Sequence, residues 1–277
     1  MKIILIGRGE IFYKVYLYLY QKNYLKLIIF DNRCSKSKPR FYNLIKKNFR
    51  NYIIVSDINN PRIINKINKE KFDYILSVNN HQIFGDIFLK KFKNKIFNYH
   101  NSLIPNFKGL HSISKAIISN QNVTGISWHL VKKEIDNGPV IFSKKIKIYK
   151  SDTAASLTLK CNLTCVKYIS NFLTVLKRNH FKFKKNKRGN DINLSKEILH
   201  LKTKLKFSHL DRIVRAFEFY PFKNNFGYPF IFLKKKKILI RKIIFHSKNK
   251  YLCRKYIDTN SVLVKFLDTY VVFKKIL

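Results

Sequence analysis

The first hundred residues alternate short apolar runs with stretches of helical periodicity, and this alternation constrains the fold more than any other feature. The runs 2–7, 25–31 and 72–78 are almost wholly apolar, as expected for strands of a parallel sheet that is covered on both faces. Helical patterns at 10–21 and 59–69 lie between them. This order predicts an α/β fold with a doubly wound parallel sheet. In such a fold, ligands bind at the carboxyl ends of the strands.

The pattern changes after residue 180, which indicates a second domain. Residues 181–206 are charged and irregular, and we expect a linker there. A helix from 207 then precedes five short strand patterns, which predict a small OB-like β-barrel domain over 207–277. Those strands are expected at 228–233, 237–246, 251–257, 262–267 and 270–275. The α/β domain would then comprise residues 1–180.

The chain is strongly basic, with 57 Lys and Arg against 15 Asp and Glu and a formal net charge of +42. The basic residues are spread along the whole length. Two interpretations remain open: a compositional drift of the solvated faces, or selected binding of a polyanion such as nucleic acid. Under either interpretation, the charge attracts anionic ligands at low salt. Hydrophobic residues make up 46% of the chain, which argues against an intrinsically disordered basic protein.

Cysteine usage and hydropathy set the expected environment. The cysteines Cys34, Cys161, Cys165 and Cys253 include no C-x-x-C pair, so neither a disulfide framework nor a metal site is predicted. No apolar run approaches the roughly 20 residues of a membrane-spanning helix, and the short run 3–6 does not fit a signal peptide. We therefore expect a cytoplasmic protein with no membrane partner. The sequence carries no signal for an oligomeric state.

A glycine turn follows the first predicted strand and invites comparison with dinucleotide-binding folds. Gly7 and Gly9 stand at the first two positions of a G-x-G-x-x-G pattern, and Asp31 ends the second strand. The third glycine is replaced by Phe12, although that glycine allows close packing of helix on strand. A tight turn between strand and helix is therefore preferred to an NAD site.

Three polar residues at predicted strand ends are candidates for chemistry. Asn98 and His100 lie two positions apart on an extended segment, so their side chains point to the same side. Asp136 lies in a loop between two strand patterns, just before Asn137 and Gly138. Taken singly, these residues could be a turn cap, an ordinary loop histidine and a hairpin residue.

Taken together, these residues resemble the motifs of the formyltransferase superfamily, whose members use N10-formyltetrahydrofolate. The resemblance rests on 98–105 (NYHNSLIP), Gly109, Thr124-Gly125 and 136–139 (DNGP), which have the order and approximate spacing of the family pattern. It covers residues 1–180 and implies the family's Rossmann-like catalytic domain, while the C-terminal part resembles that of the longer members.

The resemblance also implies roles for individual residues. Asn98 and His100 would stabilise the oxyanion of a tetrahedral intermediate, and Asp136 would orient His100 or relay a proton. An apolar wall that raised the pKa of Asp136 would help it act as a base. One edge of the folate pocket would consist of Ser102, Leu103, Ile104 and Pro105. A second loop would offer backbone groups to the pterin through Lys132, Lys133, Glu134 and Ile135.

The acceptor amine is less constrained. The pattern GISWHL at 125–130 is more similar to natural-product and sugar N-formyltransferases than to the methionyl-tRNA enzymes. A small molecule, an amino sugar or a carrier-bound amino acid is therefore the leading acceptor, and initiator tRNA is the alternative. A nucleic-acid-binding protein with an inactive catalytic domain also stays open. Of the neighbours Trp128 and His129, which point to opposite faces of a strand, we expect Trp128 to be packed in the core.

Overall fold

The computed structural model describes residues 1–31, 40–178, 181, 189–221 and 224–276. Its main sheet has seven strands. They are β1 (Ile3–Gly7), β2 (Leu25–Asp31), β3 (Tyr52–Val55), β4 (Tyr74–Val78), β5 (Ile96–His100), β6 (Val123–Leu130) and β7 (Val140–Lys147). Residues 32–39, which include Cys34, and part of the predicted linker, including 182–188, lie outside the described residues.

The seven strands lie in the order β3-β2-β1-β4-β5-β6-β7. All pairings from β1 to β5 are parallel, which confirms the predicted α/β fold with a mainly parallel sheet. The strand order reverses between β1 and β4, the position where doubly wound sheets bind ligands. β6 departs from the purely parallel prediction, because it pairs antiparallel with β5.

The parallel strands are connected by the helices Gly9–Gln21, Arg40–Asn48, Pro61–Lys69 and Asp86–Lys91. The helix Ser112–Ile118 lies between β5 and β6 in the chain, and the helix Ala154–Arg178 follows β7. The helix Pro61–Lys69 begins at a local signal, since the Asn60 side chain accepts a hydrogen bond from the Arg62 amide and proline occupies the first helical position. None of the helices in the described ranges is long and apolar enough to cross a membrane.

The glycine turn lies between β1 and the helix Gly9–Gln21, as predicted. Phe12, at the position of the missing third glycine, is fully buried and packs against Phe30 with ring centroids 5.7 Å apart. The position where the dinucleotide-binding motif has its third glycine therefore holds an aromatic residue that packs in the core.

The chain folds into two compact units, each built from several segments. The first contains residues 1–109, 125–145 and 161–189, and the second contains residues 110–124, 146–160 and 190–277. The predicted domains, 1–180 and 207–277, are each one continuous stretch of chain, unlike these two units. That division of the chain stays a prediction.

The second unit contains an antiparallel sheet where a barrel was predicted. Its strands are β8 (Phe230–Leu233), β9 (Lys236–Ser247), β10 (Ser261–Lys265) and β11 (Tyr270–Lys275), in the order β10-β11-β9-β8. The described residues thus form a four-stranded sheet, and a closed barrel is not confirmed.

The strand predicted at 251–257 is wrong, because the chain forms a short helix there, Lys250–Arg254. The Asn249 side chain accepts a hydrogen bond from the Tyr251 amide at 2.9 Å, and the helix buries Cys253. A cap residue and one buried side chain therefore outweigh the strand preference of the aromatic and aliphatic residues around them.

Candidate active site

Strand β5 carries two of the predicted site residues near its carboxyl end. Asn98 and His100 lie two positions apart on the strand, so their side chains leave it on the same face. The antiparallel neighbour β6 places His129 directly opposite Asn98. Asn98 Nδ2 and His129 Nε2 lie 3.3 Å apart. The sheet register therefore brings a third polar side chain to the predicted pair.

Asp136 joins this group from the loop between β6 and β7. Its Oδ1 atom lies 3.2 Å from His129 Nε2 and 3.4 Å from Asn98 Nδ2. Its Oδ2 atom lies 3.3 Å from His100 Nδ1 and accepts a hydrogen bond of 2.9 Å from the Gly109 amide. The three predicted catalytic residues therefore meet at one carboxylate, which His129 also contacts.

These contacts keep the Asp136 carboxyl group ionised. Burial alone would raise its pKa, since the side chain is only 11% exposed. The hydrogen bond from His129, the charges of His100 and His129 and the amide of Gly109 outweigh burial, and the pKa of Asp136 lies well below its ordinary value. The net shift is thus opposite to the one that would make Asp136 a stronger base. Near neutral pH the group is a fixed negative charge suited to orienting His100.

The His100 ring is held at both nitrogens. Nδ1 faces Asp136, and Nε2 lies 3.1 Å from the carbonyl oxygen of Phe107. Because both partners are acceptors, a ring that carries a proton on each nitrogen satisfies both. Phe107 is buried and has a left-handed backbone with φ 52°. The turn 107–109 thus supplies a carbonyl group to His100 and an amide to Asp136.

The first predicted folate segment is a loop fixed by Ser127. The Ser127 hydroxyl donates to the Ser102 carbonyl oxygen at 2.7 Å and accepts from the Ile104 amide at 3.1 Å. The Ser102 hydroxyl in turn donates to the carbonyl oxygen of Asn106 at 2.7 Å. Ser127 lies opposite His100 in the sheet, so one strand position ties the Ser102–Pro105 segment to the end of β5.

The second predicted folate segment is a loop whose two lysines are directed to neighbouring surface groups. Lys132 Nζ lies 3.4 Å from Asn94 Oδ1, and Lys133 Nζ lies 2.8 Å from Asp86 Oδ2. Both side chains of the Lys133–Asp86 pair are largely exposed. The ammonium groups of both lysines therefore bond Asn94 and Asp86 instead of Asp136.

The remaining residues of this loop form a tight turn before β7. The Asn137 amide donates to the Glu134 carbonyl oxygen at 3.3 Å, and the Asn137 side chain bonds both Glu134 and Lys108. Ile135 is 57% exposed, although it directly precedes the largely buried Asp136. An apolar side chain thus faces solvent at the margin of the cluster.

Two motif glycines owe their identity to close packing. A Cβ atom at Gly138 would lie 1.6 Å from the carbonyl oxygen of Leu130. One at Gly125 would lie 2.1 Å from the carbonyl oxygen of Lys144 and 2.5 Å from the Leu103 side chain. Both positions exclude any larger residue, and they fix how the loops that carry Leu103 and Asp136 lie against the sheet.

The expectation for Trp128 is confirmed, whereas the importance of His129 was missed. Trp128 is fully buried and stacks on Phe172 with ring centroids 4.1 Å apart. His129, on the opposite face of β6, bonds the Asp136 carboxylate. Strand alternation shows that the two side chains diverge. Only the pairing with Asn98 shows that His129 faces the site.

Comparison with known proteins identifies the family of this chain. The profile of the Formyl transferase family matches residues 33–171, half of the chain. The chain is 29% identical over 184 residues to the bifunctional polymyxin resistance protein ArnA of Wigglesworthia glossinidia brevipalpis, covering 65% of this chain and 28% of that protein. It is 33% identical over 85 residues to GDP-perosamine N-formyltransferase of Brucella melitensis, covering 31% of this chain and 33% of that protein. The matches span about a third or less of these relatives.

Solved structures show the same fold over nearly the whole length. The sugar 3N-formyl transferase WlaRD, solved with dTDP and 5-N-formyl-THF, aligns with a TM-score of 0.72 at 18% identity, covering 100% of this chain and 98% of that one. An N-formyltransferase of Helicobacter canadensis, in complex with folinic acid and dTDP-3-aminofucose, aligns with a TM-score of 0.70 at 18% identity and covers both chains fully. Since the family profile covers half of the sequence and includes the whole Asp136 cluster, the chain belongs to the formyl transferase family.

Proposed function

We propose that this protein transfers a formyl group from N10-formyltetrahydrofolate to a primary amine. The observation that carries the proposal is the single carboxylate, Asp136, that joins Asn98, His100 and His129 near the carboxyl end of β5. The family membership supplies the reaction class. The cluster offers hydrogen-bond donors and a fixed negative charge, which support this reaction.

The reaction is an acyl transfer in which all atoms are accounted for. The amine nitrogen attacks the formyl carbon and forms a tetrahedral intermediate with negative charge on the former carbonyl oxygen. The bond between that carbon and N10 of the folate then breaks. The amine nitrogen loses one proton and N10 gains one, which leaves a formamide and tetrahydrofolate.

Asn98 and His100 are the proposed donors to the developing oxyanion. Both side chains leave β5 on one face, and both contact Asp136. Asn98 would donate directly, whereas His100 would keep Nδ1 on Asp136 and turn the Nε2 proton from the Phe107 carbonyl oxygen to the oxyanion. Donors held close to their working position stabilise the charge that develops in acyl transfer. The negative charge of Asp136 favours the doubly protonated His100 ring, the form that donates best.

Asp136 acts in this proposal by orientation and charge. Because its pKa lies well below the ordinary value, the carboxylate is a weak base, and a proton that leaves the amine passes to it only briefly on the way to N10 or to water. This differs from a general base with a raised pKa, and it predicts that activity persists to mildly acidic pH.

The two loops beside the cluster are the proposed folate site. The Ser102–Pro105 loop is rigidly tied to Ser127, and Ile135 offers exposed apolar surface next to Asp136. These features fit a planar ring system that packs on apolar side chains and bonds backbone groups. Lys132 and Lys133 fit a carboxylate-bearing tail near the rim.

An amino sugar, presented as a nucleotide sugar, is the proposed acceptor. Its support is the character of the relatives: GDP-perosamine N-formyltransferase in sequence and sugar N-formyltransferases in fold. The high positive charge of the chain favours a substrate with a diphosphate. Initiator tRNA, carrier-bound amino acids and other small amines are the competing acceptors.

The test is a formyl-transfer assay with N10-formyltetrahydrofolate and a panel of amines. The panel contains amino-sugar nucleotides, aminoacylated initiator tRNA, carrier-bound amino acids and free amino acids, and each product is identified by its mass gain. We expect transfer to an amino-sugar nucleotide, with loss of transfer in Asn98→Ala. Transfer to tRNA alone would replace the acceptor and keep the reaction. A protein that neither binds the folate nor transfers formyl to any amine would contradict the proposal.

A further inference from the structure

We propose that His129 is a positioning residue for formyl transfer: it clamps Asp136 through Oδ1 and so fixes Oδ2 against His100. This inference rests on the proposed function above. His129 belongs neither to the residues predicted from the sequence nor to the proposed oxyanion donors. It would act through Asp136, and its Nε2 atom also lies 3.3 Å from Asn98 Nδ2.

The first argument is the difference in rigidity between the two ends of the clamp. Asp136 lies in a loop, on a left-handed backbone with φ 48°, so the sheet does not set its direction. His129 lies inside β6 and is paired across the sheet with Asn98. A side chain anchored on a strand holds a site more exactly than one anchored on a loop. The 3.2 Å contact between His129 Nε2 and Asp136 Oδ1 therefore transmits the register of the sheet to the loop.

The second argument is that the His129 ring is itself immobilised. Its side chain is 2% exposed, and Nδ1 lies 3.1 Å from the carbonyl oxygen of Leu130. A proton on Nδ1 donated to that carbonyl, with a second on Nε2 donated to Asp136, satisfies both contacts. The ring is thus fixed at one end by backbone and presents its other nitrogen to the carboxylate.

The third argument concerns the division of the carboxylate between two histidines. Oδ1 contacts His129 and Asn98, whereas Oδ2 contacts His100 and the Gly109 amide. With Oδ1 held, the carboxylate cannot turn about its terminal bond without breaking the contact to His129. Without His129, the loop contact from Gly109 and the two β5 side chains would be left to set that angle.

The groups that face His129 define the expected effect of pH. They are the Asp136 carboxylate from the loop, the neutral Asn98 amide from β5 and the Leu130 carbonyl from its own strand, while His100 acts through the shared carboxylate. Burial raises the pKa of Asp136, and among the contacts that lower this pKa the hydrogen bond from His129 has the largest effect. Removing that donor therefore moves the ionisation of Asp136 to higher pH.

The experiment compares His129→Leu with His129→Gln, which keeps a donor near the position of Nε2. For His129→Leu we expect kcat to fall on the order of 10²-fold, the usual result of misplacing reacting groups, with KM for the folate nearly unchanged. The acid limb of the pH profile of kcat should move to higher pH. His129→Gln should restore most of the rate. As a control, His200→Leu removes a histidine of the second unit and should change neither kcat nor the pH profile of kcat.

A second readout keeps the test independent of activity. The Asp136 carboxyl carbon, followed by NMR as pH is lowered, should titrate at higher pH in His129→Leu than in the wild type, and near the wild-type value in His129→Gln. Identical titration in all three proteins, or an unshifted pH profile in His129→Leu, would overturn the inference. Absence of formyl transfer in the wild type with a shifted titration in His129→Leu would instead contradict the proposed function alone.

Discussion

Asp136 in the first unit and Asp152 in the second both have largely buried carboxylates, but the groups that contact these carboxylates differ in kind. Asp136 contacts two histidines, an asparagine and one backbone amide. Asp152 has a side chain that is 5% exposed, and it lies just before the helix Ala154–Arg178. In both residues burial raises the pKa, and the hydrogen bonds and charges of the partners lower it below the ordinary value.

The partners of Asp152 are those of a structural site. Its Oδ2 atom bonds Lys160 at 2.7 Å and the Tyr149 amide at 2.8 Å, and its Oδ1 atom bonds the Ser156 hydroxyl at 2.9 Å. A lysine, a hydroxyl and an amide keep one protonation state at neutral pH, and a carboxylate at a helix N-terminus stabilises the helix. A lowered pKa alone therefore does not identify a functional carboxylate. Asp136 differs from Asp152 in that two histidines, side chains suited to proton transfer, contact its carboxylate.

The largest expected effect separates the two aspartates by activity. Asp136→Asn should lower kcat on the order of 10³-fold or more, since a neutral amide cannot hold the protonated His100 ring. Asp152→Asn should leave kcat unchanged and lower the free energy of unfolding by about 1–3 kcal/mol, because one acceptor oxygen and the charge that pairs with Lys160 are lost. Formyl-transfer kinetics and urea unfolding of both variants measure this. Equal losses of activity in the two variants would break the comparison.

The two residues should behave alike in the dependence of stability on pH. Because each folded-state pKa lies below the unfolded value of about 3.9, the ionised forms stabilise the fold above that value. This stabilisation is lost as pH falls from about 5 towards 2. Either aspartate-to-asparagine variant should lose less of its free energy of unfolding than the wild type between pH 6 and pH 3. A variant as sensitive to acid as the wild type would show that the missing carboxyl group was not ionised in the fold.

A smaller effect distinguishes the serines that support each region. Ser127→Ala leaves the Ile104 amide and the Ser102 carbonyl group without their hydroxyl partner, which should cost about 1–3 kcal/mol and raise KM for the folate. Ser156→Ala removes a partner of Asp152 and of the Thr153 amide, which should cost about 1 kcal/mol with no change in KM. Titration of the folate against both variants checks the difference. A raised KM in Ser156→Ala alone would reverse the assignment of the two serines.

The smallest effect is expected at the surface ion pair of the first unit. Lys133 and Asp86 have side chains that are 79% and 70% exposed, so solvent and salt screen their attraction. Lys133→Ala should leave the unfolding midpoint unchanged at low and at high salt, whereas Lys160→Ala, which strips buried Asp152 of its cation, should lower it. A marked destabilisation by Lys133→Ala would mean that the loop before Asp136 depends on this pair.

The parallel core of the fold could be predicted because its signals are local. Apolar runs such as Ile3–Gly7 and Leu25–Asp31 are long, continuous and separated by helical periodicity. The second unit was harder to predict, because its helix Lys250–Arg254 depends on one asparagine cap. Lys234 and Lys235 have left-handed backbones and form the turn between β8 and β9. Whether a four-stranded sheet closes depends on long-range packing, which no local pattern carries.

The sequence predicted those residues of the candidate site that belong to the family motif. Asn98, His100 and Asp136 meet as the family resemblance implied. His129 could not be found that way, because its place depends on the antiparallel pairing of β6 with β5. The direction of the Asp136 pKa shift was also beyond the sequence, since it depends on how many donors reach one buried carboxylate.

The two histidines, the asparagine and the backbone amide that hold Asp136 in the described part of the chain come from one stretch, Asn98 to His129. A reaction centre that is encoded so compactly is one local site carried by a much larger fold. Surface lysines outside this stretch can therefore be gained or lost without altering the contacts that hold Asp136.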